Sequence, residues 1–250
     1  MNFTIIGAGK VGTTIALLLK DYFVFDHFIS RTKKNRYEEL VGKEILTNYV
    51  IINSDIIFLT VPDDKIKEVA QNLKIEGNPL IIHFSGALPA SEISLNYDLL
   101  SVHPMMSIIY PEIAKDKIKE HFITIEGKKE AVERFKPFIK YFTNNYMYVN
   151  KDEKVAFHLA AVLTNNFPTI LISIATKILK DLPKEKALSI ILPLLNDSFE
   201  NLNYKRELSL TGPLVRKDEK TIQKHLSIIK DDKITDIYNS FSDYFKDNIE

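Results

Sequence analysis

Asn2-Phe3-Thr4-Ile5-Ile6-Gly7-Ala8-Gly9-Lys10-Val11-Gly12 decides how the rest of the chain is read. An apolar run (Phe3, Ile5, Ile6) meets three of the chain's eight glycines within six residues, and apolar spacing turns helical at Val11, Ile15, Leu18 and Leu19. Glycines at these offsets, between a strand and a helix, let backbone come close to a pyrophosphate. They also aim the helix N-terminus, with its unsatisfied N–H groups, at the negative charge. An ordinary tight turn is the plainer alternative, and the strand–turn–helix context weighs against it.

Outward from this turn, short apolar runs alternate with helical segments to about residue 150. Strands are predicted at Asn2–Ile6, Asp26–Ser30, Asp55–Val61, Leu80–Phe84, Leu99–His103, Phe122–Glu126 and Tyr146–Val149. Helices are predicted at Lys10–Lys20, around Tyr37–Leu40, at Asp64–Leu73 and at Lys129–Tyr141. Alternation of this kind implies a parallel sheet covered on both faces, and Ile56-Ile57-Phe58-Leu59 reads as a strand buried on both sides. From Lys151 the pattern is helical throughout: Lys154–Leu182 with a kink at Pro168, Lys184–Leu202, a helix from about Asp218, and Ile234–Phe245. The expectation is therefore an α/β dinucleotide-binding domain over residues 1–150 and an all-α substrate and dimerisation domain over 151–250.

Composition narrows the function classes. Lysine plus arginine equals aspartate plus glutamate at 33 each, so no basic excess points to nucleic acid or an anionic membrane. Without cysteine the chain has no disulfide, thiolate metal site or cysteine nucleophile. No metal-ligand spacing such as HxxxH occurs, and no run of about 18 uninterrupted apolar residues reads as a membrane span. A cytoplasmic protein is expected. Only five of the 33 basic residues are arginines, which draws attention to each planar fork.

Four strand ends carry candidate chemistry. The second strand ends in Ser30-Arg31-Thr32 rather than in an acid; hydroxyls and a guanidinium suit a 2′-phosphate, so NADP is favoured over NAD. Asp26 lies at the start of that run, the wrong end for a ribose contact. Val61 and Pro62, at the carboxyl end of a later strand, should border the cofactor, with Asp64 as helix N-cap. His83-Phe84-Ser85-Gly86 and Ser101-Val102-His103-Pro104 close two further strands. His103 is the acid–base candidate and Ser85 its hydrogen-bonding helper, although either histidine would also suit a backbone bond at a strand end. On the long helix, His158 and Asn165, with Asn166 adjacent, share one face and would hold a substrate across an interdomain cleft, or make an inter-helix hydrogen bond in the core. Asp218 is expected to cap the helix that carries His225, while Arg216 suits an acidic substrate, the cofactor or the plain surface equally.

Together Ile6-Gly7-Ala8-Gly9-Lys10-Val11-Gly12, Ser30-Arg31, Val61-Pro62-Asp63, His83-Phe84-Ser85-Gly86-Ala87-Leu88, Val102-His103-Pro104, His158-Leu159-Ala160-Ala161-Val162, Asn165-Asn166 and Leu210-Thr211-Gly212-Pro213 resemble the Rossmann-type oxidoreductase-like proteins whose C-terminal half is the helical domain of unknown function 2520. The resemblance implies a 6-phosphogluconate-dehydrogenase-like helical C-terminal domain, NADP as cofactor and homodimers through that domain. The layout is more distantly similar to pyrroline-5-carboxylate reductases, ketopantoate reductases and 6-phosphogluconate dehydrogenases. The last two carry a lysine and an asparagine one turn apart on the interdomain helix, where this chain has Lys154 and His158, so their mechanism does not carry over directly. His103-Pro104-Met105 resembles a segment of prephenate dehydrogenases. The combined expectation is hydride transfer to or from a small, carboxylated substrate. A non-catalytic NADP-binding sensor or scaffold is the competing class.

Overall fold

The computed structural model describes residues 1–48, 50–93, 95–205 and 210–248. The chain divides into two compact units, Met1–Asn165 and Asn166–Glu250. Among the described residues the first unit holds one eight-stranded sheet. Its elements run β1 (Asn2–Ile6), α1 (Lys10–Leu19), β2 (Val24–Ile29), α2 (Asn35–Val41), β3 (Ile45–Leu46), β4 (Ile56–Leu59), α3 (Asp63–Gln71), β5 (Leu80–His83), β6 (Leu99–Pro104), α4 (Pro111–Lys117), β7 (Ile123–Gly127), α5 (Lys129–Phe142), β8 (Tyr146–Tyr148) and α6 (Lys151–Ala161).

Strand order is β3-β2-β1-β4-β5-β6-β7-β8. The chain starts at the centre and winds outward both ways, so the order reverses at β1, the position where such sheets bind ligands. Alternation along each strand supplies two cores. Phe3, Ile5, Phe58 and Ile82 face one side with Ile15, Leu19, Phe135 and Phe142 of α1 and α5. Ile6, Ile57, Leu59 and Ile81 face the other with Ile66 and Ala70 of α3. The doubly covered Rossmann architecture follows from these apolar runs.

Two elements escape the sequence pattern, and one orientation differs from it. β3 is only two residues long, too short for a period to register, and α4 sits among apolar and charged residues without a strong stripe. β7 pairs antiparallel with β6, Leu100 opposite Gly127, where a parallel sheet was expected. The chain re-enters the sheet at the end from which it left.

A single helical run continues from α6 through a π turn (Val162–Asn166) into α7 (Phe167–Ile178). The break has a local cause: Pro168 has no N–H to give to the carbonyl a turn earlier, and the wider π turn absorbs the mismatch. α6 begins with a capping box, in which Asn150 accepts from Asp152 and Glu153 N–H groups and Glu153 bonds the Asn150 N–H. The second unit continues with α8 (Lys184–Lys205), α9 (Glu219–Ile228) and α10 (Asp232–Asn248). Asp218 caps α9 by accepting from the Thr221 N–H at 3.1 Å and hydroxyl at 2.7 Å. His225 is bonded through Nδ1 to the Tyr238 hydroxyl at 2.9 Å, which links α9 to α10.

Candidate functional site

The glycine turn gives each glycine a distinct task. Gly7 has φ +113°, and a Cβ there would stand 2.6 Å from the Thr60 carbonyl carbon and oxygen. A Cβ on Gly12 would overlap the Gly7 carbonyl oxygen and lie 3.2 Å from Ile5 Cγ2, so this glycine sets the closeness of α1 to β1. Around Gly9, by contrast, the nearest neighbour of a Cβ is 4.0 Å away, so its outer face is open. Gly9 is also the N-cap of α1 and has no side chain to bond the first N–H groups. A tight turn, an open face and a close helix are the three features that admit a pyrophosphate to a helix N-terminus.

The open face borders a cavity of about 960 Å³. Gly7, Ala8, Gly9, Lys10 and Val11 form one wall; Ser30, Arg31, Thr32, Lys34 and Thr47 another; Thr60, Val61 and Pro62 a third. Lys65, Glu68 and Ile108 also reach it, and nothing in their sequence surroundings marks them. Asp64 lines the cavity without capping α3. The helix begins one residue earlier with Pro62 as its cap, and Asp63 and Asp64 occupy its first turn, where the helix dipole favours acids. Asp26 lies at the opposite end of the sheet, accepting from the Ser54 hydroxyl at 2.6 Å, so β2 presents no acid to the cavity.

β4, β5 and β6 end beside one another, and their ends are tied together. Ser85 Oγ donates to Asp63 Oδ2 at 2.5 Å and accepts from the N–H groups of Ala87 (3.2 Å) and Leu88 (2.9 Å). With its proton given and two bonds accepted, the Ser85 hydroxyl is committed to the loop after β5. That departs from the expectation of a hydroxyl offered to a substrate. His83 is also structural. It is fully buried, and its Nδ1 accepts the Ser85 N–H at 3.3 Å.

Burial, with smaller contributions from the charges of Lys154 and His103, pushes the His83 pKa down to about 3. The folded protein therefore resists a proton that the unfolded chain takes up near 6.5. Stability is full above that value and declines as pH falls toward about 3. About 2 kcal/mol should be gone by about pH 5. Denaturant unfolding of wild type and His83→Gln at both pH values tests this, and equal losses in the two proteins would contradict it.

His103 is held differently. Its Nδ1 lies 3.0 Å from the Phe84 carbonyl oxygen, which can only accept, so Nδ1 carries the hydrogen and Nε2 the lone pair of the neutral ring. Burial lowers its pKa below the usual 6.5. The Phe84 bond opposes this, the charges of Lys154 and His158 add to it, and Asp63 opposes it. The His158 ring stands edge-on to it, centroids 5.5 Å apart at 81°. Gly86 separates the two: a Cβ there would overlap the His158 ring and lie 2.9 Å from His103 Cε1. His158 Nδ1 is buried without a hydrogen-bond partner. Asn165 lies in the π turn and is exposed.

Lys154, which the sequence places one turn before His158, is buried. It is 1% exposed, and its Nζ donates to the Ser85 carbonyl at 2.6 Å and to Ser101 Oγ. Burial brings its pKa down to about 8, against the opposing pull of the Glu126 and Asp63 carboxylates. Its setting, Lys151-Asp152-Glu153-Lys154, reads as a solvated first turn. The available signal was its place one turn before His158.

Set against solved structures, the chain is similar to a Bacteroides fragilis protein described, by provisional assignment, as an NADP oxidoreductase, at 23% identity over 96% of each chain with TM-score 0.84. It is similar to a Thermotoga maritima protein at 25% identity, covering 98% of this chain and 96% of that one with TM-score 0.74. An imine reductase from Myxococcus stipitatus, in complex with NADP+, aligns at 16% identity over 100% of this chain and 94% of that one with TM-score 0.66. These likenesses reinforce the fold assignment. Curated protein sequences return no match. A family model described as a domain of unknown function, DUF2520, matches residues 121–245, which is half of the chain. Gly-turn sheet, helical C-terminal unit and family match agree, and the chain belongs to the DUF2520 family.

Proposed function

We propose that the chain is an NADP-dependent oxidoreductase that moves hydride between the nicotinamide and a small, carboxylated substrate, with His103 exchanging the accompanying proton. The observation that carries this reading is the His103–Phe84 bond, which leaves a neutral ring with a basic Nε2. It sits at the end of β6, in the same row of strand ends as the glycine turn. The relatives whose descriptions name NADP support the choice of cofactor.

In this reading Gly7, Gly9 and the N-terminus of α1 hold the pyrophosphate, while Ser30, Arg31 and Thr32 hold the 2′-phosphate. Val61 and Pro62 fix the cofactor by shape. When bound, NADP supplies the hydride acceptor or donor. His103 Nε2 takes the proton from a substrate hydroxyl or amine as hydride leaves, and returns it in the reverse direction. His158 orients the substrate against His103, and Asn165 is a further polar contact on the same helical run. Ser85 keeps the loop between the histidines in place.

Arg31→Ala tests the cofactor assignment. A charge-assisted bond to phosphate contributes about 1.5–3 kcal/mol, so NADPH affinity should fall by about 10- to 100-fold with NADH affinity unchanged. Calorimetric titration with both cofactors reads this. Equal affinities of wild type and variant for NADPH would contradict it.

The helices of the second unit support a further part of the reading, that two copies associate through them. Ile170 (52% exposed) on α7 and Leu194 (64%) on α8 present apolar side chains to solvent, and α7 has no buried residue. Lys151–Ile178 is long enough, and over 18 residues apolar enough, to cross a membrane by length and composition. Its first turns, however, hold the buried Lys154, and a second copy is the occupant proposed for the apolar faces of α7 and α8. Light scattering should give twice the 28.8 kDa chain mass. A combined Ile170→Glu, Leu194→Glu variant should be monomeric, and a monomeric wild type would contradict the proposal.

A further inference from the structure

We propose that Lys154 is the positioning residue of this site: its buried ammonium holds the Ser85–Gly86 peptide between His103 and His158 and sets the charge that His103 faces. The catalytic meaning of this role rests on the function proposed above; the structural role does not.

Lysine is almost never fully buried without partners. Here α6 sends one through to the ends of β5 and β6. Nζ donates to the Ser85 carbonyl oxygen at 2.6 Å and to Ser101 Oγ, and Ser101 Oγ donates to the same carbonyl at 3.1 Å. Two carboxylates offset the charge: Asp63 at the start of α3, and Glu126 on β7, whose Oε2 accepts the Ala90 N–H at 2.6 Å. The other titratable groups around it are His83 of β5, His103 of β6 and His158 one turn further along α6.

An apolar side chain of similar length would fill this position at a lower desolvation cost. The ammonium therefore implies a requirement beyond packing. That requirement is visible in the neighbouring peptide. Gly86 has no room for a Cβ between the two imidazoles, so a small displacement of the Ser85 carbonyl changes their separation. Because Nζ is covered and engaged, Lys154 acts through Ser85, Gly86 and His103 rather than on a substrate. Its positive charge lowers the pKa of both His83 and His103, which favours the neutral His103 ring.

The test is an NMR titration of the His103 ring and the Gly86 amide in the full chain, for wild type, Lys154→Gln and Ser101→Ala, with turnover measured alongside. Lys154→Gln should raise the His103 midpoint. In wild type the Gly86 amide should move with a midpoint near that of Lys154, about 8. Ser101→Ala, which keeps the charge but removes one anchor, should displace the Gly86 amide resonance; this arm and the wild-type titration stand even if Lys154→Gln does not fold. An unchanged His103 midpoint in Lys154→Gln, or a wild-type Gly86 amide with no step in that range, overturns the proposal. Full turnover in His103→Asn alongside the expected titrations would remove the proposed function and leave the role of Lys154 standing.

Discussion

Turnover of a His103→Asn variant falls by about 10²- to 10⁴-fold while NADPH binding is unchanged. The asparagine amide can still donate to the Phe84 carbonyl, so the end of β6 keeps its bond, but no ring nitrogen remains to exchange a proton. The cofactor walls are built from other elements, chiefly the glycine turn and the end of β2, and are untouched by the change. The pH dependence carries its own sign. In the oxidation direction His103 must be neutral, so the rate is full at neutral pH and falls as pH drops through its depressed pKa. The midpoint of that acid limb lies below 6.5, because burial holds the ring neutral. Steady-state rates against pH measure it, and a midpoint above 6.5 would exclude the buried, neutral ring as the base.

Gly86→Ala has a comparably large effect for a steric reason. The added Cβ would overlap the His158 ring and approach His103 Cε1 to 2.9 Å. The two imidazoles must separate, since neither the Phe84 bond nor the buried Lys154 anchor gives way cheaply. A misplacement of about 1 Å at reacting groups can cost about 10²-fold in rate, and overpacking costs about 1–3 kcal/mol of stability. Turnover at saturating NADPH, paired with denaturant unfolding, reads both. A variant with wild-type turnover would mean that the histidine separation does not matter to the reaction.

The first strand, its turn and α1 were legible because the apolar period changes from two to helical across three glycines. Arg31 stands out as a candidate because it follows a strand end in a chain with few arginines, and His103 because it lies near the end of another strand. Other features depend on partners distant in sequence. The Ser85 hydroxyl looked available until Asp63, Ala87 and Leu88 were seen to saturate it. Lys154 looked solvated because its immediate neighbours are charged, while the groups that accept from it lie on β5 and β6. The antiparallel direction of β7 is not marked by its own residues. The π turn is a middle case. Pro168 announces a disturbance in the helix, but not that it takes the form of a π turn holding Asn165.

The most direct measurement is isotope transfer from NADPH deuterated at its transferable nicotinamide position, offered with a panel of small oxo acids and cyclic imino acids. Mass spectrometry of the products should find deuterium on a substrate carbon with wild type and about 10²-fold less or lower with His103→Asn. Tight NADPH binding with no deuterium in any member of the panel would contradict the account and leave a cofactor-binding protein without hydride transfer.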